Sequence, residues 1–259
     1  MIAAVHGEGI PLFLVHGFGV DHRILLPLER SVGSERWQRI YIDLPWAERV
    51  TDTGERTPRQ LADTVLDEVV RTVGDGPFAI LGNSFGALLA RHVSHALPEQ
   101  CLGVATLAGV LQPDHARRTL PAREVVVHDP EVLDRAGQWR GAFEEMTVLQ
   151  TPTMLRDFEE YVLPGLRGCD QHVLDRLSAS YTDAYSPETE AASAFPAPAL
   201  HLFGRQDQVV GYEDGLAFQH HYPHGTFVVL DGAGHNLHLE QPEVVGALVR
   251  DWLHRAENF

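Results

Sequence analysis

The chain has 259 residues, of which 44% are hydrophobic, so it can bury one sizeable core and does not need two full domains. Its 36 acidic and 20 basic residues give a formal net charge of −16, which disfavours binding to nucleic acid, to an anionic membrane or, unless a local basic pocket overrides the field, to a polyanionic substrate. All basic residues are arginine, which excludes lysine-dependent chemistry such as a pyridoxal Schiff base.

The cysteines and the first residues bear on the compartment. Cys101 and Cys169 are too few and too far apart to suggest a disulfide framework or a metal site, which favours reduced thiols. The first residues lack a cationic segment followed by a long apolar core, and no later run approaches ~18 uninterrupted apolar residues. We therefore expect a cytoplasmic protein without a membrane partner.

Short apolar runs alternate with helical patterns, which predicts an α/β fold class with a mostly parallel, doubly wound sheet covered on both faces. In chain order the predicted elements are strands over 12–15 and 39–44, a helix from Pro58 to near Gly74, a strand over 77–81, a helix over 87–93, strands over 102–108, 199–203 and 226–230, and a final amphipathic helix over 244–253.

Residues 111–195 break this alternation, because they hold helical patterns and no convincing strand. We interpret this segment as a helical insertion into one core that is formed by residues 1–110 and 196–259. The Pro/Ala-rich stretch 194–198 is typical of a hinge that returns the chain to the sheet.

The segment Gly82-Asn83-Ser84-Phe85-Gly86 lies between a predicted strand and a predicted helix. In that context G-x-S-x-G is typical of a nucleophile elbow, a cramped turn that only small flanking residues permit. The serine hydroxyl then projects from the top of the sheet, next to a helix N-terminus whose free N–H groups can receive negative charge. The bare pattern is common by chance, but its context predicts a nucleophile at Ser84.

A serine nucleophile needs a base, an acid that orients the base, and donors for the oxyanion. His235 follows one predicted strand and Asp207 follows the preceding strand, so both are expected at the edge where parallel sheets place their sites. His238 is the alternative base, although it falls in the predicted start of the final helix. The alternative acids are Asp214, on the helix that follows, and Asp231, at a turn ahead of the base.

These motifs resemble, over nearly the whole chain, those of α/β-hydrolase-fold serine enzymes. The likeness rests on His16-Gly17-Phe18-Gly19, Asp43-Leu44-Pro45, the elbow, Gly204-Arg205-Gln206-Asp207 and Gly232-Ala233-Gly234-His235, with serine, acid and base in the family's order. The resemblance implies an oxyanion hole formed by the backbone N–H groups of Phe18 and Phe85, and a helical cap between Leu111 and Phe195. The chain begins too close to Leu12 for two complete strands, so the family's first strand is expected to be absent or truncated.

The serine at the elbow distinguishes the chain from relatives with an aspartate nucleophile and leaves ester or related acyl chemistry. Phe18, Phe85 and Leu237 are expected to line an apolar pocket, while Trp46 either forms a wall of it or packs under the cap. We therefore expect a small or medium, largely apolar ester, thioester or lactone as substrate.

Carbon–carbon bond hydrolysis is the alternative reaction, because Asn83 and Phe85 make the elbow similar to that of hydrolases of meta-cleavage products. Those enzymes generally follow the base with tryptophan, where this chain has Asn236. They also need a cap arginine for the substrate carboxylate. The candidates here are Arg135, Arg140, Arg156, Arg167 and Arg176.

Other functions within the same fold also stay open at this point. An aminopeptidase-like enzyme would need acidic cap residues for the substrate ammonium group, and a receptor or non-hydrolytic lyase would keep only parts of the site. The candidate acidic residues are Glu144, Glu145, Glu159 and Glu160, which are most easily explained as solvated helix faces.

Two groups of histidines have spacings that a metal site could use, namely His92 with His95, and His220 with His221 and His224. No carboxylate or cysteine pattern completes either group, so a solvated helix face is the preferred interpretation. We expect no metal and no cofactor, a small-molecule substrate, and no nucleic acid or membrane partner. The sequence leaves the oligomeric state open.

Overall fold

The computed structural model describes residues 1–32, 36–181 and 185–259, and within these ranges it contains a seven-stranded sheet in the order β1-β3-β2-β4-β5-β6-β7. The strands are β1 (Ile2–His6), β2 (Ile10–Val15), β3 (Trp37–Ile42), β4 (Phe78–Asn83), β5 (Cys101–Leu107), β6 (Ala199–Gly204) and β7 (Gly225–Leu230). Only β1 pairs in an antiparallel manner, with β3, so the predicted mostly parallel sheet is confirmed.

β1 is a strand that the apolar pattern of the sequence does not predict. It lies at the edge of the sheet, where Val5 pairs with Ile40 and His6 with Arg39, and all five of its residues are exposed or half-buried. An edge strand with no buried face gives no strong alternation of apolar and polar residues. One strand, β1, precedes β2, so the segment before Leu12 does not contain two strands.

The sheet is buried on both faces because successive side chains point to opposite sides. On β2, Leu12 and Leu14 join one apolar cluster, whereas Phe13 and Val15 join the other. Every residue of β4 is buried. This explains why the central strands appear in the sequence as continuous apolar runs rather than alternating patterns.

Helices cover both faces of the sheet. They are α1 (Pro58–Val73), α2 (Phe85–Ala96), α3 (Pro130–Arg135), α4 (Arg140–Met146), α5 (Pro152–Asp157), α6 (Leu163–Gly168), α7 (Gln171–Ser178), α8 (Pro187–Glu190), α9 (Glu213–Leu216), α10 (Leu237–Glu240) and α11 (Pro242–Glu257), with a π-helix at Phe158–Val162 and 3₁₀ helices at His22–Arg30, His115–Arg117, Gly137–Trp139 and Gln219–His221. Among the described residues, no helix has the length and apolar content needed to cross a membrane.

The boundaries of α1 show how local sequence sets these elements. Thr57 adopts an extended backbone, and its side chain accepts a hydrogen bond from the Gln60 N–H. Pro58 follows at the first helical position, where its missing N–H costs nothing. Gly74 ends the helix with φ of 57°, a conformation that glycine adopts without strain.

The segment 111–195 lies between β5 and β6, and its described part contains α3 to α8 and no strand. Residues 182–184 of the predicted cap lie outside the described residues. Phe143, Leu155 and Phe158 of this segment share one apolar cluster with Ile24 and Leu25 of the core. The segment is therefore packed directly onto the sheet-bearing part of the molecule rather than around a hydrophobic core of its own.

Candidate active site

The elbow is a sharp turn between β4 and α2, and its geometry explains the two glycines. Ser84 has φ of 51° and ψ of −115°, a backbone conformation that a side-chain-bearing residue rarely adopts. A Cβ atom on Gly82 would lie 2.2 Å from the Gly86 carbonyl oxygen, and one on Gly86 would lie 2.2 Å from the Val15 carbonyl oxygen. Only glycine fits at either position, so the turn can close tightly and present the Ser84 side chain.

Three predicted site residues form one hydrogen-bonded chain. His235 Nε2 lies 3.0 Å from Ser84 Oγ, and His235 Nδ1 lies 3.0 Å from Asp207 Oδ2. Because the Asp207 carboxylate can only accept, the Nδ1–H donates to it, which leaves the Nε2 lone pair facing the serine hydroxyl. This is the protonation state in which a histidine can remove a proton from serine.

The loop after β6 holds Asp207 in a fixed orientation. Its Oδ1 accepts hydrogen bonds from the backbone N–H groups of Val209 at 2.8 Å and Val210 at 3.1 Å, so Oδ2 is left for His235. The Asp207 side chain is fully buried, while Ser84 and His235 keep 7% and 8% exposure. Asp207 is thus shielded from water, and Ser84 and His235 face accessible space.

The alternative base and acids lie in other environments. His238 is buried, its Nε2 lies 2.8 Å from the Ile24 carbonyl oxygen, and burial lowers its pKa to about 4. Asp214 accepts hydrogen bonds from the backbone N–H and the hydroxyl of Thr119. Asp231 contacts Gln206 at 3.0 Å and Arg205 at 3.5 Å. None of the three side chains forms a hydrogen bond or an ion pair with Ser84 or His235 among the described residues.

The His16-Gly17-Phe18-Gly19 loop lies directly against the elbow, since a Cβ atom on Gly17 would approach Ser84 Cβ to 3.0 Å. The fully buried His16 ring donates from Nδ1 to the Gly17 carbonyl oxygen at 2.8 Å, and its Nε2 accepts from the Leu44 N–H at 3.0 Å. Burial lowers the pKa of His16, although Asp43 opposes that shift. The ring is therefore neutral and fixed in one tautomer.

The backbone N–H groups of Phe18 and Phe85 donate no hydrogen bond to any described residue. The Phe85 N–H is at the first position of α2, where an α-helix has no internal acceptor for it. The Phe18 N–H belongs to the same peptide unit as the Gly17 carbonyl, so in a planar trans peptide it points away from His16. Two free donors thus lie beside Ser84.

Trp46 packs against the loop that contains Phe18. Its ring is fully buried, donates from Nε1 to the Val20 carbonyl oxygen at 2.9 Å, and packs on Phe18 and Phe85 at centroid distances of 5.0 and 5.7 Å. Leu237 is also fully buried. Of the four side chains predicted around the pocket, Trp46, Phe85 and Leu237 are buried and Phe18 is half-buried.

The acidic and arginine candidates of the segment 111–195 are exposed or paired with other side chains. Of the five arginines, Arg135, Arg156 and Arg167 are exposed, Arg140 is exposed and pairs with Asp134 and Glu144, and Arg176 pairs with Asp52. Of the four glutamates, three are exposed, and Glu144 pairs with Arg140. Among the described residues none of these groups forms a hydrogen bond or an ion pair with Ser84, Asp207 or His235.

Two residues near the site are not predicted from the sequence, namely Tyr181 and Arg118. The Tyr181 ring stacks on Phe18 at a centroid distance of 6.5 Å and lies 5.3 Å from the Phe85 ring. The Arg118 Cζ atom lies 5.9 Å from the Tyr181 ring centroid. Each is one of several tyrosines or arginines in the chain, so only their packing distinguishes them.

The histidine groups do not form a metal site within the ranges that the structure describes. His92 Nε2 lies 3.2 Å from Asp63, and His95 packs against Phe195 and Tyr222. The predicted solvated face for this pair is wrong, because His92 is buried and burial lowers the pKa of His95 to about 4. Both rings instead lie between α2 and the end of the segment 111–195, where His92 packs on Tyr185 and His95 on Phe195.

The sequence model that describes the alpha/beta hydrolase family matches residues 12–248, which is nearly the whole chain. The chain is 28% identical over 256 residues to (E)-2-((N-methylformamido)methylene)succinate hydrolase from Acinetobacter baylyi, covering 95% of this chain and 91% of that protein. It is 23% identical to a pimeloyl-[acyl-carrier protein] methyl ester esterase from Shewanella woodyi, covering 96% of each.

Two further similarities agree with this result. A 2-hydroxy-6-oxononadienedioate/2-hydroxy-6-oxononatrienedioate hydrolase from Burkholderia vietnamiensis is 25% identical, covering 94% of this chain and 87% of that protein. The crystal structure of an alpha/beta superfamily hydrolase from Oenococcus oeni superposes with a TM-score of 0.90 and 27% identity, covering 98% of this chain and 95% of that one.

Proposed function

Since the chain belongs to the alpha/beta hydrolase family, we propose that it is a serine hydrolase that cleaves a small or medium, largely apolar carboxylic ester, thioester or lactone. In this proposal Ser84 is the nucleophile, His235 the base and Asp207 the acid that orients it. The proposal is supported chiefly by the continuous chain of contacts from Asp207 through His235 to Ser84, with 3.0 Å at each step.

In the first step His235 Nε2 takes the Ser84 proton while Ser84 Oγ bonds to the substrate carbonyl carbon. The carbonyl oxygen becomes an oxyanion, which the free N–H groups of Phe18 and Phe85 stabilise together with the N-terminus of α2. Asp207 stabilises the imidazolium that forms. Collapse of the intermediate breaks the bond to the leaving group, which departs with the proton from His235.

In the second step His235 removes a proton from water, and the resulting hydroxide attacks the acyl group on Ser84. The same two backbone donors stabilise the second oxyanion. Its collapse releases the carboxylic acid and returns the proton to Ser84 Oγ. The strained backbone of Ser84 matters here, because it keeps the hydroxyl next to His235 in both steps.

We also propose that residues 111–195 act as a cap that restricts access to Ser84. The described part of this segment contacts both sides of the site, since the Asp170 N–H donates to the Trp46 carbonyl oxygen at 2.8 Å and Tyr181 lies on Phe18 and Phe85. Excluding water in this way strengthens the electrostatic contacts inside the site.

The proposal is tested by covalent labelling with a fluorophosphonate probe and by turnover of p-nitrophenyl esters. We expect Ser84→Ala to abolish labelling and to reduce turnover by roughly 10⁴-fold or more. Ser178→Ala, which changes an exposed serine on α7, is the matched control and keeps full labelling. Retention of most activity in Ser84→Ala, or absence of labelling in the folded wild-type protein, would contradict the mechanism.

Carbon–carbon bond hydrolysis is the second candidate, favoured by the similarity to the dienedioate hydrolase. The same nucleophile and oxyanion donors would serve it, so the geometry of Ser84 does not separate the two reactions. The discriminating experiment is a panel of p-nitrophenyl esters, lactones and a meta-cleavage dienoate assayed with one enzyme preparation. A preference for the dienoate over every ester would replace the ester proposal with this one.

A further inference from the structure

We propose that Arg118 and Tyr181 form a subsite for a carboxylate group on the substrate, here called the carboxylate subsite. The inference rests on the proposed function, because it names the class of ester to be cleaved. That class is an ester that carries a second, free carboxylate a short chain away from the scissile carbonyl.

The Arg118 guanidinium is held in place without a counter-charge. Its nitrogen atoms donate to the backbone carbonyl oxygens of Gln112 at 2.8 Å, Pro113 at 3.0 Å and Val209 at 2.8 Å. Among the described residues no carboxylate forms an ion pair with it, whereas Arg91 and Arg176 pair with Glu188 and Asp52. These carbonyl oxygens fix the orientation of the guanidinium but do not neutralise its positive charge. Its remaining N–H groups are available to donate to a ligand.

Tyr181 adds a neutral donor beside this charge. Its hydroxyl is buried and has no acceptor for its proton among the described residues. Burial raises the pKa of the Tyr181 phenol, with Arg118 opposing the shift, so the group keeps its proton at neutral pH. Burying a donor without an acceptor is unfavourable, and an oxygen atom of a bound ligand would accept its proton.

The carboxylate subsite lies against both halves of the proposed active site. The Val209 carbonyl oxygen accepts from Arg118, and the Val209 N–H donates to Asp207 Oδ1 at 2.8 Å. On the other side the Tyr181 ring contacts Phe85, the residue directly after Ser84. A substrate bound at Ser84 therefore needs only a short chain to reach Arg118.

The chemistry of the subsite favours a carboxylate over a more highly charged anion. One guanidinium and one phenol match two oxygens that share a single negative charge. The formal net charge of −16 repels anions in general, and further arginines at the site would be expected for a phosphate or a polyanion. The exposed cap arginines described above do not supply them.

The test compares esters of matched length with and without a terminal carboxylate. The substrates are p-nitrophenyl hemiesters of succinate, glutarate and adipate, each paired with the neutral p-nitrophenyl ester of the same chain length. We expect Arg118→Gln to lower kcat/KM for the best hemiester by about 10- to 100-fold, mainly through KM, and to leave its neutral counterpart within about 3-fold. Arg135→Gln, on the exposed face of α3, is the matched control and changes neither substrate.

Tyr181→Phe keeps the ring contacts and removes only the hydroxyl, so it tests the subsite even where Arg118→Gln fails to fold. We expect a loss of about 3- to 10-fold in kcat/KM for the hemiester alone. Equal losses for charged and neutral esters in both variants would show a structural role and overturn the proposal. So would an unchanged ratio of the two substrates in both variants.

Binding of free glutarate to the Ser84→Ala protein, measured by calorimetry, separates this inference from the proposed function. If no ester is hydrolysed but glutarate binds and Arg118→Gln abolishes the binding, the subsite stands and the hydrolase proposal fails. If esters are hydrolysed with dependence on Ser84 while Arg118→Gln alters neither glutarate binding nor substrate preference, the hydrolase proposal stands and the subsite fails.

Discussion

His16 does not touch the proposed reacting atoms, yet it determines where one oxyanion donor points. Its ring bridges the Gly17 carbonyl oxygen and the Leu44 N–H, and the second contact requires the neutral ring that burial favours, because only an unprotonated Nε2 can accept. Because the Gly17 carbonyl and the Phe18 N–H share one planar peptide unit, fixing the first fixes the second. His16 is thus a positioning residue for the proposed oxyanion hole.

We expect His16→Ala to lower kcat and kcat/KM together by about 10²-fold, because the loss of one oriented oxyanion donor is felt only in the transition state. Steady-state kinetics on a p-nitrophenyl ester measure the effect, and a thermal unfolding scan reports any loss of folding. His172→Ala, an exposed histidine on α7, serves as the control. A rise in KM with unchanged kcat would contradict the positioning role.

The sequence predicts the positions of Ser84, Asp207 and His235 because each follows a strand, and parallel strands bring their carboxyl ends to one edge. The structure places these three side chains in contact. Arg118 and Tyr181 are different, since no strand end fixes them and their approach to Phe18 and Phe85 depends on how the segment 111–195 packs. Packing of this kind has no short sequence pattern.

At the scale of elements, Glu240 joins three segments around His235. Its Oε1 accepts from the Val148 N–H at 2.6 Å and the Leu149 N–H at 3.3 Å, and its Oε2 accepts from the Gly234 N–H at 2.6 Å. Gly234 directly precedes His235, and a Cβ atom there would lie 2.9 Å from Val148 Cγ1. One buried carboxylate therefore links α10, the loop that carries His235 and the segment between α4 and α5.

Glu240→Gln is expected to reduce kcat by about 10-fold or more and to lower the free energy of unfolding by about 1–3 kcal/mol. The amide can accept on only one side, so its NH₂ group faces a backbone N–H and one segment loses its partner. Urea unfolding and ester turnover measure the two effects. Glu243→Gln, on the exposed face of α11, is the control, and a kcat equal to that of the control would refute the link.

Element boundaries follow the sequence well where a helix or strand is long or buried. The predicted helix from Pro58 to near Gly74 matches α1. The short helices α3 to α8 could not be given bounds from the sequence, because turns of four to eight residues take their stability from tertiary contacts rather than from their own periodicity. β1 likewise could not be given bounds from the sequence, because a strand with no buried face has no alternation of apolar and polar residues.

At the scale of the whole molecule, a buried ion pair connects α8, near the end of the segment 111–195, to α2, the helix that follows Ser84. Arg91 on α2 and Glu188 on α8 are fully buried and lie 2.5 Å apart, and the Tyr222 hydroxyl also donates to Glu188 at 2.5 Å. Arg91 further donates to the Val110 carbonyl oxygen at 2.7 Å. The pair thus connects α2, the start of the insertion and its end.

The charge of Glu188 makes this connection sensitive to acid. Burial alone would raise the pKa of its carboxyl group, but Arg91 and Tyr222 hold that pKa at about 2. A carboxyl group whose pKa is lower in the folded than in the unfolded state contributes stability that is complete above its unfolded pKa of about 4.5. That contribution is lost as the pH falls from about 4.5 to about 2.

We expect Glu188→Gln to lower the free energy of unfolding by about 3–5 kcal/mol at pH 7, because it leaves the buried Arg91 charge without its partner. Glu190→Gln, on the same helix, removes an exposed pair with Arg59 and should cost no more than about 1 kcal/mol. Urea unfolding at pH 7 and pH 3.5 measures both. Since the variant has no carboxylate to protonate at this position, its deficit relative to wild type should shrink at pH 3.5, and a deficit that stays constant would contradict the role assigned to the pair.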